Sequence, residues 1–321
     1  MDVRPLAWER SLPEAVEIIE VGPRDGFQIL PDFIETGHKI EVIESLIQAG
    51  VQRMEVTSFV NPRAVPQMRD ASEVLKAIKC NGCECFVMVP NLIGAEHALA
   101  AGAQMLNLII SASESHNLSN VRRSINESLT SFEAVFELAD EADVPVRASI
   151  ATVFGCPFEG LVPVENVLSL ARRLVEMGCV ELNLCDTTGM ANPRQVARVA
   201  RRVMEAFGDD RTKRASIAMH FHNTRGAAIA NLLAAMQNGV TAFETSLGGL
   251  GGCPFAPGAA GNICTEDAVH MLHEMRIATD IDLPRLLDAV QQAEQALDMT
   301  FPGQVIKAGR SCDLHPLPDR D

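Results

Sequence analysis

The stretch VENVLSLARRLVEMGCVELNLCDTTGMANPRQVARVARRVMEAF, Val164 to Phe207, reads as a helix, a strand and a second helix. Apolar residues recur at helical spacing over Val164–Met177 and stop at Gly178, a residue that accepts the left-handed turn ending a helix. Cys179–Cys185 is short and apolar, as a strand buried on both faces should be. Pro193 then opens a helix that runs to Phe207. The same unit repeats in both directions. Further strands are predicted at Val16–Val21, Arg53–Phe59, Glu84–Val89, Met105–Ile110, Val146–Thr152, Arg214–His222 and Ala242–Leu247. Helices are predicted at Thr36–Ala49, Gln67–Ile78, Ile125–Glu141 and Gly226–Asn238. Glycine also follows the helical runs at Ala49-Gly50, Ala101-Gly102 and Asn238-Gly239.

Eight strand–helix units within about 270 residues favour a closed (β/α)8 barrel over an open doubly wound sheet. Leu283–Leu297 reads as an additional C-terminal helix. No interior linker or low-complexity segment marks a second domain. Residues 1–302 are therefore expected to form one barrel domain, and residues 303–321, rich in Pro, Gly and charge, a mobile tail.

Composition agrees with an ordinary globular protein. The 321 residues are 47% hydrophobic and 21% charged, with a mean hydropathy of +0.09, ample for a core and too apolar for disorder. A net charge of −15 argues against nucleic acid as a partner. No apolar run reaches the roughly 18 residues of a membrane span. Arg4, Glu9, Arg10 and Glu14 leave no room for a signal peptide, and Asp2 and Glu9 do not suit an acid-poor presequence. Nine scattered cysteines read as reduced thiols, so a cytoplasmic location is expected.

Barrel enzymes place their chemistry at the C-terminal ends of the strands, and three such places stand out. After strand 1 comes Val21-Gly-Pro-Arg-Asp-Gly-Phe-Gln28, in which Arg24 and Asp25 are either a solvated turn or functional groups at the barrel mouth. Strand 7 ends in Met219-His-Phe-His-Asn-Thr-Arg225. Side chains alternate along a strand, so His220 and His222 share a face about 6–7 Å apart while Phe221 faces outward. Such a pair can converge on a cation; the plainer alternative is two core histidines satisfied by hydrogen bonds. After strand 8, Ser246-Leu-Gly-Gly-Leu-Gly-Gly-Cys-Pro-Phe255 can approach a ligand and close over it, or simply be flexible, or cradle a phosphate. Cys253 within it suits thiol or acid–base chemistry.

Asp25, His220 and His222 with an oxygen from the strand 8 loop, for which Asn262 is the natural candidate, would form a mixed N/O set. Mg2+ or Mn2+ suits that set, and imidazole would also accept Zn2+ or Co2+. Cys80-x-x-Cys83-x-Cys85 resembles half of a zinc knuckle but has no matching second pair. Cys179, Cys185 and Cys264 read as small core residues.

From about Val16 to Leu297 the chain resembles the 3-hydroxy-3-methylglutaryl-CoA lyase family of metal-dependent barrel lyases and Claisen-type synthases. The resemblance lies in the strand 1 run, Glu55-Val-Thr-Ser-Phe-Val-Asn-Pro, Val65-Pro-Gln-Met68, Gly155-Cys-Pro-Phe-Glu-Gly160, Asp186-Thr-Thr-Gly189, His220-Phe-His222 and Gly248-Gly-Leu-Gly-Gly-Cys-Pro-Phe255. It implies a divalent metal, Mg2+ or Mn2+, held at Asp25, His220, His222 and Asn262. It also implies a catalytic cysteine at Cys253, a catalytic and substrate-binding arginine at Arg24, and acidic site residues at Glu55 and Asp186. The implied reaction, part of leucine degradation in this family, splits a 3-hydroxyacyl-CoA into acetyl-CoA and a keto acid such as acetoacetate. That chemistry needs the hydroxyl proton removed, the departing enolate stabilised and its carbon protonated. An acyl-CoA substrate and a homodimer are further implications.

Departures concern specificity. Asn223-Thr224-Arg225 stands where the family usually carries Asp-Thr and an aromatic residue, and Asn183 where a small hydroxyl residue is common. The acyl group is thus left open among 3-hydroxy-3-methylglutaryl, citramalyl and a longer branched relative. A synthase running in the condensation direction and a catalytically silent binding barrel are the competing readings.

Overall fold

The structure is a computed structural model that describes residues 11–208, 215–252 and 261–314. Among these residues eight strands close into a barrel in chain order. They are β1 (Glu17–Glu20), β2 (Arg53–Ser58), β3 (Glu84–Met88), β4 (Leu106–Ser111), β5 (Val146–Ala151), β6 (Glu181–Asp186), β7 (Ser216–Phe221) and β8 (Ala242–Thr245). Each pairs in parallel with its neighbour, and β8 returns to β1 with Glu17 opposite Ala242 and Glu20 opposite Thr245. The predicted (β/α)8 barrel is the observed fold.

The helices are α1 (Thr36–Gln48), α2 (Ala71–Ala77), α3 (Leu92–Ala100), α4 (Glu114–Val121), α5 (Ile125–Glu141), α6 (Val164–Glu176), α7 (Pro193–Phe207), α8 (Ala228–Met236), α9 (Thr265–Glu274), α10 (Leu283–Leu297) and α11 (Val305–Ala308). In α7 the local logic is plain. Asn192 caps the helix by accepting from Gln195 N, Pro193 occupies the first turn where no N–H is needed, and Val196, Val199, Ala200, Val203 and Phe207 form the buried stripe. α10 is the extra C-terminal helix and packs on α1 and α9. Gly303 N donates to Gly248 O, and Asp267 accepts from Gln304 N and Val305 N at the start of α11.

One predicted helix begins late. Over Gln67–Ile78 the chain makes a tight turn at Pro66–Met68 and becomes α-helical only at Ala71. Gln67 is occupied elsewhere: its Oε1 accepts from Ile34 N at 3.1 Å, its Nε2 donates to Leu30 O at 2.8 Å, and its carbonyl receives Lys39. These contacts tie the β1 and β2 loops together, which a helical Gln67 could not do.

The main core lies between the strands and the helices, whereas the barrel interior holds only a small apolar cluster of Ile19, Val21, Phe86, Met105, Ala218 and Ala242. Charged and polar side chains share the interior with it. Arg53 bridges Glu17, Glu84 and Glu181, and Arg147, fully buried, lies against Glu181 and Glu244. Barrel interiors are usually packed with branched apolar residues. Here they are partly replaced by paired charges that lead up to the mouth. Among the described residues no helix is long and apolar enough to cross a membrane, and all eight described cysteines are free.

Candidate active site

At the end of β1 the chain makes one wide helical turn, Gly22–Gly26, closed by Phe27 N donating to Gly22 O, while Arg24 N and Asp25 N both donate to Val21 O, at 3.1 and 2.7 Å. Such wide turns are rare and recur at functional sites. Leu247 and Glu20 press on Gly22 and leave no room for a Cβ. The result buries Arg24 and Asp25 at the mouth, so they are not a solvated turn. Arg24 Nε donates to Glu55 Oε2, and its Nη1 donates to Asp25 Oδ1 at 2.6 Å. Gln28 Nε2 donates to the same Asp25 oxygen at 2.8 Å.

The β7 alternation holds. His220 and His222 point into the barrel with ring centroids 5.0 Å apart, and Phe221 packs outward against Phe154. A backbone bridge between His222 and Asn262 brings the strand 8 loop alongside. Asn262 Nδ2 donates to Asp25 Oδ2 at 2.7 Å and to Leu250 O at 3.0 Å. Ligand atoms of Asp25, His220 and His222 all lie within 4.8 Å of one another. His222 Nδ1 and Asn262 Oδ1 are buried without a hydrogen-bond partner among the described residues. Unsatisfied polar atoms in such a place are costly unless something else binds them. These residues fit a divalent cation with mixed nitrogen and oxygen ligands.

Burial would lower His220, but Glu244 outweighs it and holds the imidazole above its ordinary range, so a metal must displace that proton. Burial and the neighbouring His220 push His222 down to about 3, so it is the neutral imidazole a metal requires. Burial would raise Asp25, but Arg24 and the two histidines outweigh it and hold the carboxyl below its ordinary range. Burial pushes Asp186 up to about 6. Its Oδ1 accepts from Met190 N at 2.8 Å and Ala191 N at 3.0 Å, while Oδ2 has no hydrogen-bond partner among the described residues. Glu55, at the β2 bulge and also raised by burial, is held by Arg24 and by Asn107 Nδ2 at 2.6 Å.

Sequence reasoning missed the support around these groups. Asn107 accepts from Ser149, which accepts from Asn183, each at 3.1 Å, so β2, β4, β5 and β6 share one polar seam below the mouth. Glu244 of β8 binds His220 Nδ1 at 2.9 Å. The available signal was a charged or amide residue among apolar neighbours within a strand, such as Asn107 in β4, Asn183 in β6 and Glu244 in β8. Arg225, three residues after His222, donates to the carbonyls of Thr188 and Gly189, at 3.0 and 2.8 Å. It ties the β7 loop to the β6 loop. Cys253 lies outside the described residues.

A cavity of about 430 Å3 opens over these groups, lined by Arg24, Asp25, His220 and His222, by apolar residues such as Val60, Met88 and Ile109, and by further polar ones such as Asn61, Asn91 and Arg123. A lining that mixes apolar and charged side chains suits an acyl group with a charged end.

The base of the glycine-rich loop rests on two buried carboxylates. Glu20 accepts from Gly22 N, Leu247 N and Thr265 Oγ1, and Glu266 accepts from Gly248 N. Burial pushes both up to about 7. The folded protein thus holds these protons more firmly than the unfolded chain. The associated stability is complete below the ordinary carboxylate pKa near 4.5 and is lost as pH rises through about 7. Glu266→Gln, which needs no proton, is expected to raise Tm relative to wild type by about 2–4 °C at pH 8 and not at pH 5. Calorimetric scans across that range test this; a difference independent of pH would contradict it.

The HMGL-like family profile matches residues 15–292. The chain is 43% identical over 300 residues to a hydroxymethylglutaryl-CoA lyase of Bacillus subtilis, covering 93% of this chain and 99% of that protein. It is 40% identical over 305 residues to the cytoplasmic 3-hydroxy-3-methylglutaryl-CoA lyase of Mus musculus, covering 95% and 88%. Its backbone superposes on an HMG-CoA lyase from Acinetobacter baumannii, solved in complex with coenzyme A and 3-methylmalate, with a TM-score of 0.90 and 41% identity over 98% of this chain and 100% of that one.

Proposed function

Given that the chain belongs to the HMGL-like family, we propose that it is a carbon–carbon lyase splitting 3-hydroxy-3-methylglutaryl-CoA into acetyl-CoA and acetoacetate. The observation that carries this reading is the convergence of Asp25, His220 and His222 at the barrel mouth, beside a buried Arg24. Asp25, His220, His222 and Asn262 would hold Mg2+ or Mn2+, which when bound acidifies the substrate hydroxyl and orients the carboxylate beside it.

The chain's own groups account for the proton and charge movements. Asp186, near neutrality and with Oδ2 lacking a partner among the described residues, is suited to accept the hydroxyl proton. As the C2–C3 bond breaks, its electron pair moves into the thioester enolate. Arg24, permanently charged and aimed by Glu55, stabilises the enolate oxygen. Cys253 returns a proton to C2 and completes acetyl-CoA.

A panel of 3-hydroxy-3-methylglutaryl-CoA, both citramalyl-CoA enantiomers and a longer 3-hydroxyacyl-CoA, assayed for acetyl-CoA release with Mg2+ and Mn2+, tests the reading. The highest kcat/KM is expected for the first; consumption of acetyl-CoA in place of release would identify a synthase. His222→Ala should weaken Mn2+ binding and turnover by at least about 10–100-fold, the scale seen even for residues behind a ligand. Unchanged affinity in isothermal titration would remove His222 from the metal site. We also propose a cytoplasmic location, supported by that named for the mouse relative, and a homodimer, which light scattering can test.

A further inference from the structure

We propose that Glu244, clamped by Arg147, decides which ring nitrogen of His220 faces the metal. The β7–β8 register sets His220 opposite Glu244. Glu244 Oε2 lies 2.9 Å from His220 Nδ1, and Oε1 accepts from Arg147 Nη1 at 2.8 Å. Arg147 itself cannot turn away. Its guanidinium lies over the Phe86 ring at 4.4 Å, with Nε beside Glu181 Oε1 at 2.8 Å, and the side chain is fully buried.

The direction of the hydrogen bonds follows from the groups themselves. A guanidinium only donates, and the carboxylate it pairs with only accepts. His220 must therefore present Nδ1–H to Glu244, which leaves the Nε2 lone pair for the side shared with Asp25 and His222. His222 has no such carboxylate, since its Nδ1 lacks a hydrogen-bond partner among the described residues. The two ligands are thus held by different means, and Glu244 is a positioning residue. Its hydrogen bonds go to His220 and Arg147.

This inference rests on the metal-site reading above, and Mn2+ titration separates the two. In Glu244→Gln one amide oxygen faces two claimants. Arg147 can only donate, so the oxygen turns to it and the NH2 faces His220 Nδ1. The histidine proton then moves to Nε2, the nitrogen needed by the metal. The isosteric variant should therefore raise the Mn2+ Kd by about 10–100-fold. Adding Arg147→Met frees the amide to turn its oxygen toward His220, so E244Q/R147M should bind Mn2+ more tightly than E244Q alone. A residue that only props up the fold gives the reverse order, with the isostere nearly harmless and the double variant worse. Wild-type affinity in E244Q, or no recovery in a folded double variant, overturns the inference. Failure of the wild-type protein to bind Mn2+ overturns the metal site beneath it. Should the double variant not fold, long-range 1H–15N spectra of the Mg2+-loaded wild-type protein decide: the remaining His220 proton is expected on Nδ1, and finding it on Nε2 overturns the assignment.

Discussion

Cys253→Ala is expected to lower kcat by about 10²–10⁴-fold, the usual contribution of a general acid, while Mn2+ affinity stays at the wild-type value. The loss belongs to kcat because a proton delivered to the enolate carbon is needed in the transition state and adds little to ground-state binding. Thiol alkylation should reproduce it, and bound substrate should slow the alkylation. Eight other cysteines compete for the reagent, so the modified peptide has to be identified. Wild-type kcat in the variant would move the proton donor elsewhere, and lost metal binding would make Cys253 structural.

Arg24→Gln is expected to reduce kcat by about 10²–10³-fold, as removal of a single preorganised donor does elsewhere. Two carboxylates complicate the reading. Arg24 pairs with both Asp25 and Glu55, and deleting one partner of a buried ion pair typically costs about 3–5 kcal/mol of stability. Arg24→Gln/Glu55→Gln removes one of the two uncompensated charges and should recover part of the lost Tm without recovering kcat. Metal affinity should not fall, because a cation beside the metal position has been removed. Recovery of turnover together with Tm would show that Arg24 serves folding alone.

The part of the site that was legible shares one property: each residue sits at the end of an apolar run. Arg24, Asp25, His220 and His222 follow from period-two alternation and the rule that barrel chemistry lies at strand C-termini. Asn262 came from the same rule, and a backbone bridge to His222 carries it there. Glu244 and Arg147 stayed hidden because a charge inside a strand has no sequence neighbour that reveals its partner. Their contact spans 97 residues and crosses the barrel interior. The late start of α2 was hidden for the same reason, since Gln67 answers to Leu30 and Ile34, residues remote in sequence.

The sequence by itself determined the alternation of apolar strands with capped amphipathic helices, and with it the barrel and the mouth. These depend on periodicity, capping and burial, which are local properties of the chain. Only the tertiary structure decided how the buried charges are matched. Pairing β8 with β7 sets the carboxylate of Glu244 against one imidazole and leaves the other without one, and Arg225 donates to loop carbonyls. Electrostatic pairing in a low-dielectric interior depends on distances of about 3 Å between residues far apart in sequence, and those distances exist only once the barrel has closed.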